Sequence, residues 1–225
     1  SLTHPLYIKK EGNSCWISSK NLKIGNQIKA MRSVRCTKKG YLKLKNGYRC
    51  DEDVALFYGY LIGDGCITKS NKTKYNRLTL FINQEERDIL NILKSIIKTK
   101  FNQICYTRVR QPKKSKISGR IIDSTQPLTY LVINSTSLAN VFEDGVNKEI
   151  PNIILSSKKE VVASFLKGLF EADGCVFISK RLDRTDKGKI QLKSFSHRLL
   201  KDVQTILIKF GIQSRINSDN LIIAR

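Results

Sequence analysis

The chain has 225 residues, with 41 Lys and Arg against 19 Asp and Glu, a formal net charge of +22. That length allows one large domain, or a domain and a small companion, with a sizeable core. The charge surplus implies a polyanionic partner, most often nucleic acid. No apolar run reaches the ~18–20 residues of a membrane span, and no charged-then-apolar leader opens the chain. An intracellular location is therefore expected, in the cytoplasm, nucleus or an organelle of the host, with no membrane partner. The six cysteines form no CxxC pair, and His4 and His197 are the only imidazoles. A zinc site and a Cys–His nucleophile are thus disfavoured, and the thiols fit a reducing compartment.

Residues 1–50 read as short strands and turns: Pro5 to Ile8, a turn at Glu11-Gly12-Asn13, Cys15 to Ile17, and Asn21 to Ile28. A basic connector, Lys38 to Arg49, leads to a boundary near residue 50, and residues 51–225 form the larger domain, in halves 51–155 and 156–225. Asp51, Glu52 and Asp53 supply cap and first-turn acids for a helix ending at Asp64. A hairpin follows, in which Leu78, Leu80 and Ile82 alternate with Arg77, Thr79 and Phe81. Next comes a helix whose stripe is Ile89, Ile92, Leu93, Ile96 and Ile97, then a strand at 104–110, a basic loop at 112–120, and a strand at 129–133. Ser135 is placed to cap a short helix.

The second half repeats this order. It has a helix from Lys159 to Asp173, strands at 175–180 and 190–195, a helix at 196–210 stopped by Gly211, and a strand at 221–224. It reads as shortened, because the counterpart of Lys148, 109 residues on, lies past Arg225.

Two stretches have the same form. Phe57-Tyr58-Gly59-Tyr60-Leu61-Ile62-Gly63-Asp64-Gly65 closes the first helix and Leu166-Lys167-Gly168-Leu169-Phe170-Glu171-Ala172-Asp173-Gly174 its counterpart, the acids being 173 − 64 = 109 residues apart. Gly59 and Gly63, and Gly168 and Ala172, are four apart, a spacing that lets two helix backbones approach closely. Gly65 and Gly174 suit the left-handed position past a helix end. Asp64 and Asp173 then fall in the last turn, where the helix dipole repels a carboxylate. If the helices pack in parallel the acids meet, and a pair so placed suggests a divalent-metal site.

These stretches resemble the paired LAGLIDADG motifs of homing endonucleases. The second is close to the pattern; the first carries Tyr58, Tyr60, Ile62 and Gly63 at its variable places. The resemblance implies an α+β, pseudo-twofold domain with two motif helices packed at its centre and antiparallel DNA-binding sheets, plus a small all-β N-terminal segment. It implies a site-specific endonuclease that makes a metal-dependent double-strand break by phosphodiester hydrolysis, with Mg²⁺ (or Mn²⁺) as cofactor. Asp64 and Asp173 are the catalytic and metal-binding acids it assigns, with the carbonyls of Gly63 and Ala172 as further ligands. The expected partner is double-stranded DNA with a long, nearly non-palindromic site, bound by a monomer.

Ser1-Leu2-Thr3-His4-Pro5, Trp16 and Leu22 to Ile28 resemble the later part of an intein N-terminal splicing region, with His4 at the place of its activating histidine. Intein-type endonucleases tend to carry a functional lysine before x-Ile-Pro, which Lys148-Glu149-Ile150-Pro151 matches, so Lys148 is the third catalytic candidate. The chain as given is not expected to splice by itself, since the opening nucleophile would precede Ser1 and the chain closes on Ala224-Arg225.

A two-stranded ribbon fits the DNA major groove. Base- and backbone-contact candidates are Lys69, Lys72, Lys74, Tyr75, Arg77 and Thr79 in half one. In half two they are Lys180, Arg181, Arg184, Lys187, Lys189, Gln191 and Lys193. Arg108, Arg110, Lys113, Lys114, Lys116 and Arg120 are phosphate-contact candidates. The competing expectations are a non-catalytic nucleic-acid binder (an inactive endonuclease or an intron-folding helper) and a fragment of a protein-splicing element, for which His4 would outweigh Asp64.

Overall fold

A computed structural model describes residues 3–10, 12–29, 40–69, 76–112, 114–117, 120–123, 127–181 and 184–224. The N-terminal strands β1 (Pro5–Lys10), β2 (Asn13–Ser18) and β3 (Gln27–Ile28) form an antiparallel sheet of order β2-β1-β3. Gly12, at φ +86°, makes the hairpin turn that its sequence suggested. Leu44 and Cys50, from the segment that follows, are buried in the core of the larger domain.

Helix α1 (Glu52–Asp64) is buried on all sides from Val54 to Gly63, which makes it a central helix. Its start is fixed electrostatically. Asp51 Oδ1 accepts from Val54 N at 3.1 Å, and Lys100 Nζ lies 2.7 Å from Asp51 and 3.0 Å from Asp53. Strands β4 (Gly65–Thr68) and β5 (Arg77–Asn83) follow, then α2 (Arg87–Phe101). On α2 the stripe is Ile89, Leu93, Ile96, Ile97 and Phe101, whereas Ile92 is 40% exposed, one step round the helix from the core.

Strand β6 (Cys105–Arg110) is next, and the basic loop contains a hairpin, β7 (Lys114–Ile117) and β8 (Arg120–Asp123). Half one closes with β9 (Leu128–Asn134), α3 (Thr136–Val141), a 3-10 turn at Glu143–Asn147 and α4 (Asn152–Leu155). Ser135 caps α3 as expected, its Oγ accepting from Leu138 N at 3.3 Å.

Half two is α5 (Lys159–Asp173), β10 (Gly174–Arg181), β11 (Arg184–Lys193), α6 (His197–Ile208), β12 (Arg215–Asn217) and β13 (Asn220–Ala224). The sheets have matching orders, β4-β5-β9-β6 and β10-β11-β13-β12. The expected α+β repeat is thus present, with three more strands than the sequence suggested, β7 and β8 in place of the basic loop and β12 in half two. β12 has only three residues, too few to show an alternating pattern.

The core runs through both halves, and the packing of α1 on α5 is its most extensive contact between elements. Half one adds an aromatic cluster joining α1, α2 and α3. Phe57 lies 5.1 Å from Phe101 and 5.3 Å from Phe142, and Tyr58 lies 4.7 Å from Phe142. Burying one such ring contributes about 1.5–3 kcal/mol. Among the described residues, no helix is long and apolar enough to cross a membrane.

Candidate active site

Helices α1 and α5 run parallel. Leu56 and Tyr60 face Gly168, Gly59 faces Phe165 and Leu169, and Gly63 faces Ala172. The approach is close enough to require glycine. A Cβ on Gly59 would stand 2.0 Å from Phe165 O, and one on Gly168 2.1 Å from Leu56 O. The small-residue spacing therefore sets the helix contact, and the contact brings the two helix ends together.

Asp64 and Asp173 are the last residues of these helices. The expected left-handed glycine after each acid is not found. Gly65 (φ −125°) and Gly174 (φ −89°) are extended, because the chain passes from helix to strand without a loop. Glycine is still required there. A Cβ would meet Leu61 O at 2.4 Å and Phe170 O at 2.3 Å.

Burial raises the pKa of both acids. The Asp64 carboxyl is pushed up to about 6, first by desolvation and then by the negative charge of Asp173, with Lys148 opposing. Asp173 is raised by desolvation, and Lys148 again opposes. Two half-buried acids, with the charge of Asp173 disfavouring that of Asp64, form a donor set that fits a divalent cation.

Lys148 lies 84–86 residues from the first acid and its neighbours in sequence, yet its Nζ donates to the carbonyls of Ile62 and Gly63. These are unsatisfied acceptors at the negative end of α1. Two of the three ammonium protons are so used, and the third is left for the site. Lys148 also has φ +50°, a left-handed conformation that costs a non-glycine residue about 1–2 kcal/mol. The carbonyl of Gly63, a ligand candidate, is thus a lysine acceptor as well. No lysine among the described residues donates to the matching carbonyls of Glu171 and Ala172.

The outer face of the β4-β5-β9-β6 sheet forms a groove of about 580 Å³. Arg77, Arg108 and Arg110 line it with Thr68, Thr79, Phe81, Tyr106 and Tyr130. Strand alternation puts these residues on one face, while Leu78, Leu80, Ile82, Leu131 and Ile133 face the core. Arg77 Nε donates to Asn134 Oδ1 at 3.1 Å, and Arg110 Nη1 to Tyr130 Oη at 3.3 Å. The structure thus brings Arg77, Thr79, Arg108 and Arg110 together, although Thr79 is largely covered.

Lys69 is exposed and ion-paired with Glu143. In half two, Lys189 and Lys193 are exposed, Lys193 lying 3.7 Å from Asp219, and Gln191 Nε2 donates to Asn220 Oδ1. Lys180, Arg181, Arg184 and Lys187 have their backbone on β10 and β11, and Lys114, Lys116 and Arg120 on β7 and β8. Lys72, Lys74, Tyr75 and Lys113 lie outside the described residues. His4 stands at the entry to β1 in the N-terminal sheet, where its carbonyl accepts from Ser19 N at 2.8 Å, whereas the acids end helices α1 and α5.

Tyr106 and Tyr130 were not among the sequence candidates. Their signal was the alternation of Tyr106, Arg108 and Arg110, whose partner strand was not evident. Cys66, exposed just after Asp64 and Gly65, lines the same groove.

The chain is 28% identical to the NrdEB alpha subunit of ribonucleoside-diphosphate reductase from Bacillus subtilis, over 96% of this chain and 19% of that protein. It is 27% identical to a DNA polymerase of Thermococcus aggregans, over 80% of this chain and 9% of that one. It is 26% identical to the replication factor C small subunit of Methanocaldococcus jannaschii, over 96% and 10%. The chain thus spans a fifth or less of these relatives.

Among solved structures it is similar to a variant of I-DmoI in complex with its nicked target DNA in the presence of manganese. That match has 16% identity and a TM-score of 0.45, over 77% of this chain and 89% of the other. It is also similar to the homing endonuclease I-WcaI bound to its DNA recognition sequence, with 15% identity and a TM-score of 0.46, over 82% and 77%. Residues 160–221 match the family described as LAGLIDADG-like domain. The matched stretch runs from the start of the second motif helix into the last strand.

Proposed function

We propose that the chain is a site-specific DNA endonuclease that makes a metal-dependent double-strand break by phosphodiester hydrolysis, and that it is the endonuclease part of an intein. The observation that carries this reading is the meeting of Asp64 and Asp173 at the ends of two parallel helices, with Lys148 beside them. Asp64 and Asp173 would hold a divalent ion, with the carbonyls of Gly63 and Ala172 in reach of the same role. Such an ion, when bound, supplies charge neutralisation on the phosphate undergoing attack. The basic groove of half one binds the DNA backbone and presents Arg77 to base edges. Lys148 Nζ, held on the end of α1, stabilises negative charge as the phosphodiester opens.

The relatives support the intein part. A reductase subunit, a polymerase and a replication factor subunit have no activity in common. Each nonetheless matches 80–96% of this chain over 9–19% of its own length. One segment shared among unrelated proteins is the pattern left by an inserted element.

The test is incubation with a randomised duplex library and Mg²⁺ or Mn²⁺, alongside Asp64→Asn and Asp173→Asn. Cutting by the parent, with each variant reduced about 10²-fold or more, is the expected result. Tight binding without cutting by any of the three would instead favour a non-catalytic binder, the reading to which the lack, among the described residues, of a lysine on Glu171 and Ala172 points. Peptide-bond rearrangement with a partner chain, lost in His4→Ala, would mark a splicing element.

A further inference from the structure

Half of the chain's charge surplus lies ahead of the first motif helix. Residues 1–50 carry 12 Lys and Arg against Glu11 as their one acid, and 12 − 1 = +11 of the total +22. The sheet formed in this segment, β2-β1-β3, shares no strand with the β4-β5-β9-β6 sheet that bears the groove. Lys9, Lys10, Lys20, Lys23 and Lys29 are all exposed, and among the described residues no carboxylate pairs with any of them.

The two faces of this small sheet differ. On one, Ile8 is fully buried and Leu6 and Ile17 are half-buried. Alternation and register put Tyr7, Lys9, Trp16 and Gln27 on the other. Lys29 joins them, its backbone N donating to Tyr7 O at 2.8 Å. Trp16 is 68% exposed on this open face, yet it is ordered by its neighbours. Its ring centroid lies 4.9 Å from that of Tyr7, and Lys29 Nζ stands 4.8 Å from the Tyr7 ring. A face that only meets water gains nothing from a braced, exposed indole, and a seat for an apolar segment would not be edged by unpaired lysines. Aromatic bodies beside free ammonium groups suit a ligand whose apolar parts alternate with phosphate.

Given the endonuclease function proposed above, on which this rests, we propose that the open face of β1, β2 and β3 is a second DNA-binding surface, which holds duplex DNA beyond the stretch lying in the groove. Lys9 and Lys29 contact phosphates, and Trp16, braced by Tyr7, packs against the deoxyribose between them. Contacts of this kind carry no base sequence. The surface adds affinity and lengthens the DNA that the chain occupies.

Trp16 is the single tryptophan of the chain, so its emission reports on this face alone. The whole chain is titrated with duplex DNA of random sequence. Anisotropy of a labelled duplex measures binding, and Trp16 emission and its quenching by acrylamide are followed with the unlabelled duplex. Expected is a saturable change in Trp16 emission that tracks the anisotropy curve, with Trp16 shielded from acrylamide. Lys9→Ala combined with Lys29→Ala should weaken binding on the order of tenfold or more and make the log–log salt slope shallower by about 1.8, two phosphate contacts being lost. Lys9→Arg combined with Lys29→Arg should keep the parent's slope. Trp16→Ala should weaken binding several-fold with the slope unchanged, because it removes no charge. DNA binding with Trp16 emission unmoved and the slope of the alanine pair equal to the parent's would overturn the inference and leave the groove intact as the DNA site. Absence of any DNA binding would instead remove the proposed endonuclease function, and this surface with it. A blue shift of Trp16 on anionic phospholipid vesicles, with no change on duplex DNA, would also overturn the inference, since a membrane surface would then be the occupant.

Discussion

Asp64 and Lys148 show how single residues are conditioned by the helix ends they occupy. With its pKa raised from the usual 3.8 to about 6, Asp64 binds its proton more tightly folded than unfolded. The stabilisation this represents is present below about pH 4 and is lost as pH rises through about 6. The Tm of Asp64→Asn should therefore match that of the parent near pH 4 and exceed it at pH 7.5, as read by scanning calorimetry without divalent metal. Added Mg²⁺ should raise the parent's Tm at pH 7.5 and not at pH 5, because protons compete for the same oxygens. Lys148 carries the second conditioned site. Its left-handed backbone makes glycine the easier replacement, so Lys148→Gly should be more stable than Lys148→Ala by about 1 kcal/mol in urea unfolding. Both should lose cleavage alike, since neither has the amine.

At the level of elements, the α1–α5 contact determines where the acids stand, and its glycines are not equivalent. A Cβ on Gly168 meets the backbone carbonyl of Leu56 at 2.1 Å, which no rotamer can relieve. Gly168→Ala should destabilise by about 3 kcal/mol, at the upper end for overpacking. A Cβ on Gly63 instead meets the Ala172 Cβ at 2.4 Å, methyl against methyl. Gly63→Ala should therefore be rescued by Ala172→Gly, with a coupling of about 1 kcal/mol or more in a double-mutant cycle. No coupling would mean that the helices do not share this register. The spacing of these small residues was legible in the chain, and so were the Asp51 and Ser135 caps, since each depends on neighbours within one turn. The extended Gly65 and Gly174 were not, because strand entry directly after the helix is decided by the sheet that receives it.

Over the whole molecule, a net charge of +22 meets a groove lined by arginine and tyrosine. DNA affinity should fall steeply with salt, with a log–log slope of about −0.9 for each phosphate neutralised. Arg108→Ala should weaken binding to all sequences and reduce that slope by about one, whereas Arg77→Ala should also relax sequence preference at one position. The pseudo-twofold is imperfect in its chemistry, since Lys148 serves the end of α1 only. On supercoiled plasmid, nicked circles should accumulate before linear product, and a single exponential to linear DNA would contradict that asymmetry.

The sequence by itself determined the basic character, the two motif helices, the repeat of helix and hairpin, and the identity of the acids. These are properties of composition, of local period and of spacing within a few residues. Tertiary structure alone decided that the helices run parallel, so that acids 109 residues apart share one place. It decided that Lys148 reaches the end of α1, and that Tyr106 and Tyr130 join Arg77 in one groove. Such pairings depend on contacts between residues far apart in the chain, and neither periodicity nor residue type specifies them before the sheets and helices have packed.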